Sequence, residues 1–192
     1  MEKFNVLFSE DELQKRIKEL AEKIDKDYLG KELVVIVVLK GAVFFATDLL
    51  RNLKTNLEIE FLRASSYTGT ESRGQVELKM DLDADIEGKD VLIIEDIIDT
   101  GNTLKFLKEY IKSKKPRSQK IAVLLDKKER RKVEVDIDYT GFVIPNKFVV
   151  GYGFDVDEKY RNLKYIGYVE NVWYWRRTKK ASWKTRCLSY ER

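Results

Sequence analysis

The stretch VLIIEDIIDTGNTL, residues 91–104, constrains this chain more than any other. Its leading apolar residues, Val91 to Ile94, are too few for a helix and do not alternate with polar ones, as befits a strand covered on both faces in a parallel sheet. Two adjacent acids, Glu95 and Asp96, come next, and then Asp99 just before Thr100-Gly101-Asn102-Thr103. The acids are therefore expected at the C-terminal end of the strand, on the edge where the loops of an open α/β sheet diverge into a ligand-binding crevice.

The surrounding sequence repeats the same alternation. Ser9-Glu10-Asp11-Glu12 is a capping box, and Leu13, Ile17, Leu20, Ala21 and Ile24 then share one helical face, so an amphipathic helix is expected to open the domain. The run LVVIVVL at 33–39 reads as a buried strand, 42–51 as a helix and 58–64 as a second strand, a unit that is right-handed and parallel by default. SSYTGTESRGQ at 65–75 predicts a mobile loop, with a short strand near 76–80 after it. A helix at about 103–113 and a strand at 121–125 continue the pattern. Val133, Val135 and Ile137 alternate with acids, as a half-exposed edge strand would, and the Gly-, Pro- and aromatic-bearing segment 142–168 predicts a smaller hood. The expected class is α/β, a central mostly parallel sheet flanked by helices with a small hood subdomain.

Composition narrows the chemistry. A chain of 192 residues suits one domain, and its apolar runs fall far short of a membrane span, so a soluble cytoplasmic protein is expected. The single cysteine, Cys187, permits no internal disulfide. The absence of histidine removes the usual base of a Ser or Cys triad and the commonest zinc ligand. Catalysis is left to carboxylates, Lys, Arg, Tyr and a hard metal. Residues 170–192 hold a net +5 against the whole chain's +4, which leaves −1 for residues 1–169. The body is thus no nucleic-acid groove, and nucleic acid is not expected as its partner.

Asp99-Thr100-Gly101 has the letters of an aspartic-protease loop, but such aspartates must share a proton with a second copy, and Leu104, Leu107, Tyr110 and Ile111 continue as a helical face instead. A purely structural role is also open: the acids end a strand and Thr100 or Thr103 caps the helix. Against it stands the completeness of the stretch. The backbone N–H groups of Thr100, Gly101, Asn102 and Thr103, with two hydroxyls and a helix N-terminus behind them, make an anion cradle of phosphate size, and adjacent carboxylates can accept hydrogen bonds from a vicinal diol. Phosphate and diol together describe a ribose 5-phosphate.

Apolar residues, two acids and Asp-Thr-Gly-x-Thr resemble the phosphoribosyl-pyrophosphate motif of the type I phosphoribosyltransferases. Leu39-Lys40-Gly41 resembles the pyrophosphate loop of the hypoxanthine-guanine members, in which a cis peptide is expected at Lys40-Gly41. Ser65-Ser66-Tyr67 resembles the start of their flexible cover, VLLDK at 123–127 their purine-oxygen reader, and IPNKFVVGYGFDVDEKYRNL at 144–163 their nucleobase and pyrophosphate segment. The resemblance, spread over residues 39–163, implies that Phe148 stacks on the base, that the Val149 backbone meets its 2-position edge with Lys147 nearby, and that Lys127 donates to the 6-oxygen. It implies that Lys40 and Arg161 neutralise the pyrophosphate, that Glu95 and Asp96 hold the ribose hydroxyls directly or through Mg²⁺, and that Asp155 helps hold Mg²⁺ on the pyrophosphate. Asp99 is the implied general base. The partners implied are phosphoribosyl pyrophosphate and a purine, and a homo-oligomer, dimer or tetramer, is expected.

A xanthine-guanine enzyme would share the phosphoribosyl motif, and so would a non-catalytic regulator that senses phosphoribosyl pyrophosphate and binds nucleic acid. The basic tail bears on the latter. Residues 172–192 hold Trp173, Trp175 and Trp183 interleaved with Arg and Lys, a pattern that could stack on single strands, whereas the family motifs end near Tyr168. The expected boundary places the phosphoribosyltransferase domain at 1–171 and the tail outside its machinery. A chain truncated after Asn171 is expected to keep kcat within about threefold and to lose any salt-sensitive RNA retention. A folded truncation without transferase activity would move the boundary.

Overall fold

The computed structural model describes residues 4–66 and 76–170. In chain order the elements are β1 (Asn5–Phe8), α1 (Glu10–Asp27), β2 (Leu33–Val38), α2 (Val43–Asn52), β3 (Leu57–Ser66), β4 (Val76–Met80), β5 (Asp90–Ile98), α3 (Asn102–Ser113), β6 (Ser118–Asp126), β7 (Tyr139–Val143), β8 (Phe148–Val150) and β9 (Ile166–Val169). A single 3-10 turn, Lys128–Arg130, follows β6.

The main sheet has the order β4-β3-β2-β5-β6-β7, parallel throughout except for the antiparallel β3–β4 pair. Helices cover both faces, which explains the unbroken apolar runs. Leu33, Val35, Val37, Leu92 and Ile94 pack in one core with α1 and α2. Val34, Ile36, Val38, Val91 and Ile93 pack in a second with Leu104, Leu107 and Ile111 of α3. Each of these side chains is almost fully buried, worth about 1.5–3 kcal/mol apiece in transfer free energy. α1 starts where its capping box requires: Ser9 Oγ accepts the Glu12 N–H at 3.3 Å and Glu12 Oε2 accepts the Ser9 N–H at 2.8 Å. Among the described residues no helix is long and apolar enough to cross a membrane.

Strand order reverses between β2 and β5, because β2 leads through α2 to β3 on one side and β5 leads through α3 to β6 on the other. The strand expected at 91–94 in fact runs to Ile98. Glu95 and Asp96 therefore lie within it, not beyond its end. The reason is asymmetric pairing: β2 pairs with β5 only as far as Val37↔Ile94, whereas β6 accompanies it through Glu95↔Val123, Ile97↔Leu125 and Ile98↔Asp126. The acids sit where one neighbour has stopped and the other has not.

Other expectations are corrected. A strand, β1, precedes α1, and it pairs with β9, which pairs with β8, to form the hood as a three-stranded antiparallel sheet. Phe142 belongs to β7 of the main sheet, but its ring stacks on Phe8 at 4.0 Å between centroids and so joins the two sheets. The edge strand expected at 133–137 is not one; the edge is β7. Val135 and Ile137 do turn inward onto the second core, as their alternation demands, but the segment carries no ladder. The hood is tied down at Asp48 of α2, whose Oδ2 accepts from Tyr152 Oη and from Gln14 Nε2, each at 2.6 Å.

Candidate active site

A cavity of about 240 Å³ opens over the ends of β2 and β5, lined by Leu39, Glu95, Asp96, Asp99, Thr100 and Thr103 among others. Its floor is set by one close approach. A Cβ placed on Gly41 would lie 1.6 Å from Asp96 Oδ2, and one placed on Gly153 would lie 2.1 Å from Gly41 O. The Asp96 carboxylate, the Gly41 backbone and the hood backbone at Gly153 are thus stacked with no room for a methyl group. The peptide bond just before, Leu39–Lys40, is cis; the cis bond expected at Lys40–Gly41 lies one residue earlier.

Glu95 and Asp96 face this space without a basic partner in any ion pair among the described residues. Burial pushes Glu95 well above the ordinary carboxylate range, and the neighbouring Asp96 charge adds to it. Asp96 is raised as well, chiefly by burial, while hydrogen bonds and the more distant Arg161 charge work against the rise. Oxygen-only donors in a desolvated pair suit a hard dication. Among the described residues no group of three or more acids, histidines or cysteines is placed to hold a metal ion by itself.

The start of α3, expected as an anion cradle, carries no cap. Gly101 is the N-cap of α3 at φ 87°, no side chain caps the helix, and its first turn carries no acid, in contrast to the boxed, three-acid start of α1. The capping role considered for Thr100 or Thr103 is therefore not what the structure has. The segment that does not form an edge strand braces the cradle from behind: the N–H groups of Lys132 and Val133 donate to Thr100 O at 2.9 and 3.2 Å. Asn102 begins α3.

Lys127 follows β6 directly, its N–H donating to Ile98 O at 3.0 Å, and the buried Asp126 beside it is held by Arg131 at 2.9 Å. Burial pushes the Lys127 ammonium down, with Asp99 pulling it part of the way back. Asp99 itself accepts from Arg130 Nε at 2.9 Å. Next to the Gly41–Gly153 contact, Lys40 Nζ and Arg161 Nη2 reach the same oxygen, Glu158 Oε2, at 2.9 and 3.3 Å, and Arg161 Nη2 also meets Asp155 Oδ1 at 2.8 Å.

The structure thus gathers Glu95, Asp96, Asp99, Thr100, Gly101, Thr103 and Gly41 around one space, with Lys127 beside Asp99 and Lys40, Asp155 and Arg161 in one charged cluster. Lys147 and Phe148 line a separate hollow of about 380 Å³ with Tyr168, and Lys147 Nζ stands 3.5 Å from that ring's centroid. Val149 is buried in β8. Ser66 ends β3, and Tyr67 lies outside the described residues. A larger hollow, about 500 Å³, lies along the far part of α3 near Lys112 and Arg117; it has neither strand-end acids nor a helix N-terminus, so its size does not make it the reaction site. Arg130, Gly153 and Glu158 were not picked out by sequence. Arg130 sits in the run KKERRK, which reads as solvated, and Glu158 offers no local pattern at all.

Residues 8–157 match the phosphoribosyl transferase domain family. The chain is 54% identical over 163 residues to the bifunctional protein TilS/HprT of Listeria monocytogenes, a match that covers 84% of this chain but 25% of that protein. It is 46% identical over 170 residues to the hypoxanthine-guanine phosphoribosyltransferase of Streptococcus thermophilus, covering 88% of this chain and 94% of the relative. The crystal structure of a hypoxanthine-guanine phosphoribosyltransferase from Bacillus anthracis superposes with a TM-score of 0.82 at 50% identity, over 88% of this chain and 99% of that one.

The half-buried acids of the strand make a stability prediction. A carboxyl whose folded pKa is raised holds its proton more tightly than in the unfolded chain, so stability falls as pH rises from the ordinary glutamate value of about 4.3 through the raised folded one. Glu95→Gln removes the charge and keeps the shape. In EDTA at pH 8 it is expected to melt about 2–4 °C above the wild type, roughly 1 kcal/mol, with the gain closing toward pH 4.5. A pH-independent difference in thermal melts would show that Glu95 is not held against its ionisation.

Proposed function

The chain belongs to the phosphoribosyl transferase domain family, and on that premise we propose that it transfers the 5-phosphoribosyl group of phosphoribosyl pyrophosphate to N9 of hypoxanthine, and of guanine, releasing pyrophosphate. The observation that carries this assignment is the meeting, in one crevice, of an uncapped helix N-terminus with a cation-free pair of strand carboxylates. The 5-phosphate takes the N–H groups and hydroxyls of Thr100 to Thr103, where the helix dipole favours negative charge. Glu95 and Asp96 take the ribose hydroxyls. Lys40 and Arg161 meet the diphosphate, and Lys127 donates to the purine 6-oxygen, with Phe148 against the ring and Val149 and Lys147 at its edge.

The bond from C1 to the diphosphate oxygen breaks with its electron pair on the leaving group, and N9 forms the new bond to C1. The purine N–H proton passes to Asp99, which is general-base work for a positioned carboxylate. Because the transition state separates charge, the aligned cations and the carboxylate pair contribute most where charge develops. Glu95 and Asp96, with Asp155, would hold Mg²⁺, which supplies charge neutralisation on the diphosphate. Asp155 shares that duty with Arg161, already 2.8 Å away. Ser66 and Tyr67 would begin the cover that excludes water. We place the protein in the cytoplasm as a homo-oligomer, a dimer or tetramer; Ile59 and Phe61 on β3 and Met80 on β4, 46, 44 and 40% exposed, supply an apolar edge for such contact.

The test is a panel of purines incubated with phosphoribosyl pyrophosphate and Mg²⁺, reading nucleotide formation. Lys127 can only donate, so it suits an oxygen at position 6 and opposes the amino group of adenine. Hypoxanthine and guanine are expected to react, with adenine about 10⁴-fold poorer; xanthine preferred over hypoxanthine, or adenine matching it, would defeat the assignment. Asp99→Asn keeps the shape but cannot take the proton. It is expected to lower kcat by roughly 10²–10⁴ with the KM for phosphoribosyl pyrophosphate nearly unchanged, and a loss under about threefold would return Asp99 to a structural role.

A further inference from the structure

Two of the cations that the proposed function assigns to the diphosphate already hold an anion. Lys40, in the loop after β2, and Arg161, beyond the hood turn, converge on a single oxygen, Glu158 Oε2, at 2.9 and 3.3 Å. Nothing in local sequence brings Lys40 and Glu158 together, since 118 positions separate them. The turn that carries Glu158 is built to present it. Asp157, Glu158 and Tyr160 have φ of 52, 61 and 72°, left-handed values that side chains other than glycine seldom adopt. The Glu158 N–H donates to Asp155 Oδ2 at 2.8 Å, while the other Asp155 oxygen receives Arg161. Arg161 in turn donates from Nη1 to Gly153 O at 2.6 Å, beside the Gly41 contact that floors the crevice.

We propose that Glu158 is a resident anion of the pyrophosphate subsite: its carboxylate holds Lys40 and Arg161 converged when no diphosphate is bound, gives them up when one binds, and reclaims them when pyrophosphate leaves. The proposal rests on Lys40 and Arg161 being the diphosphate cations. Two features fit a displaceable partner and not a fixed strut. The side chain is 65% exposed, and exposed ion pairs are weak enough for a polyanion to outcompete. Its two cations come from separate elements, so a carboxylate between them spares the repulsion of bringing two positive charges together. Glu158 is a positioning residue; it forms no bond to the reacting atoms.

A competing anion lowers the affinity for the ligand it imitates and speeds its departure. Calorimetric titration of the full chain with inorganic pyrophosphate in excess Mg²⁺ separates the possibilities. Glu158→Gln is expected to bind pyrophosphate about three- to tenfold more tightly than the wild type, and to show a correspondingly lower KM for phosphoribosyl pyrophosphate with no rise in kcat. Glu158→Ala should move affinity in the same direction. Glu22→Gln, on the exposed face of α1, makes the same change in net charge and should leave affinity unchanged. If the wild type binds pyrophosphate and the Glu158 variants bind it equally or less well, or if Glu22→Gln tightens binding as much, the inference is overturned while the proposed function stands. If the wild type binds no pyrophosphate at all, the assignment of Lys40 and Arg161 fails and the inference falls with it.

Discussion

The site depends on the contact in which Gly41 is clasped between the Asp96 carboxylate and the hood backbone at Gly153. Three separate parts of the molecule meet there: a strand of the main sheet, the loop after its neighbour, and the turn that leads the hood over both. A side chain at Gly41 would have to displace the Asp96 carboxylate, and one at Gly153 would press on the Gly41 backbone. Because β2 stops while β5 runs on beside β6, there is a notch for that loop to enter. Sheet topology, the glycine and the acid pair are therefore one constraint seen from three sides.

Charge is sorted around that contact. On the sheet side, Glu95 and Asp96 are ionisable groups held in a desolvated setting with no cation in an ion pair among the described residues, a state that costs the folded chain stability. On the loop and hood side, Lys40 and Arg161 carry the opposite charge and are satisfied for the present by Glu158 and Asp155. An active site that stabilises separating charge needs dipoles and ions in place beforehand, and here the Gly41 backbone lies between the Asp96 carboxylate and the hood backbone that Arg161 bonds. The start of α3, which no side chain caps, completes the set, since the N–H groups of a first helical turn have no partner within the helix.

Much of this was legible in the chain. The unbroken runs at 33–39 and 91–94 announced strands buried on both faces, the spacing Leu13, Ile17, Leu20, Ala21, Ile24 announced α1, and the Thr-Gly-Asn-Thr stretch announced an open helix start. These are local properties, fixed by the period of the backbone and by what each face must touch. Where local pattern and pairing disagreed, pattern misled: Val133, Val135 and Ile137 alternate, and Val135 and Ile137 turn inward, but with β7 already on the edge the segment forms a brace and not a strand.

Sequence alone thus determined the class of fold, the adjacent acids after a buried apolar run and the helix start that follows them, because each is written in residues adjacent along the chain. Only the tertiary structure decided that Glu95 and Asp96 lie inside a strand, that Arg130 holds Asp99, that Lys40 and Arg161 share Glu158, and that the N-terminal strand belongs to the hood. The physical reason is contact distance. A strand's end depends on where its neighbours stop, and an ion pair between positions 40 and 158 depends on every turn that closes the intervening chain.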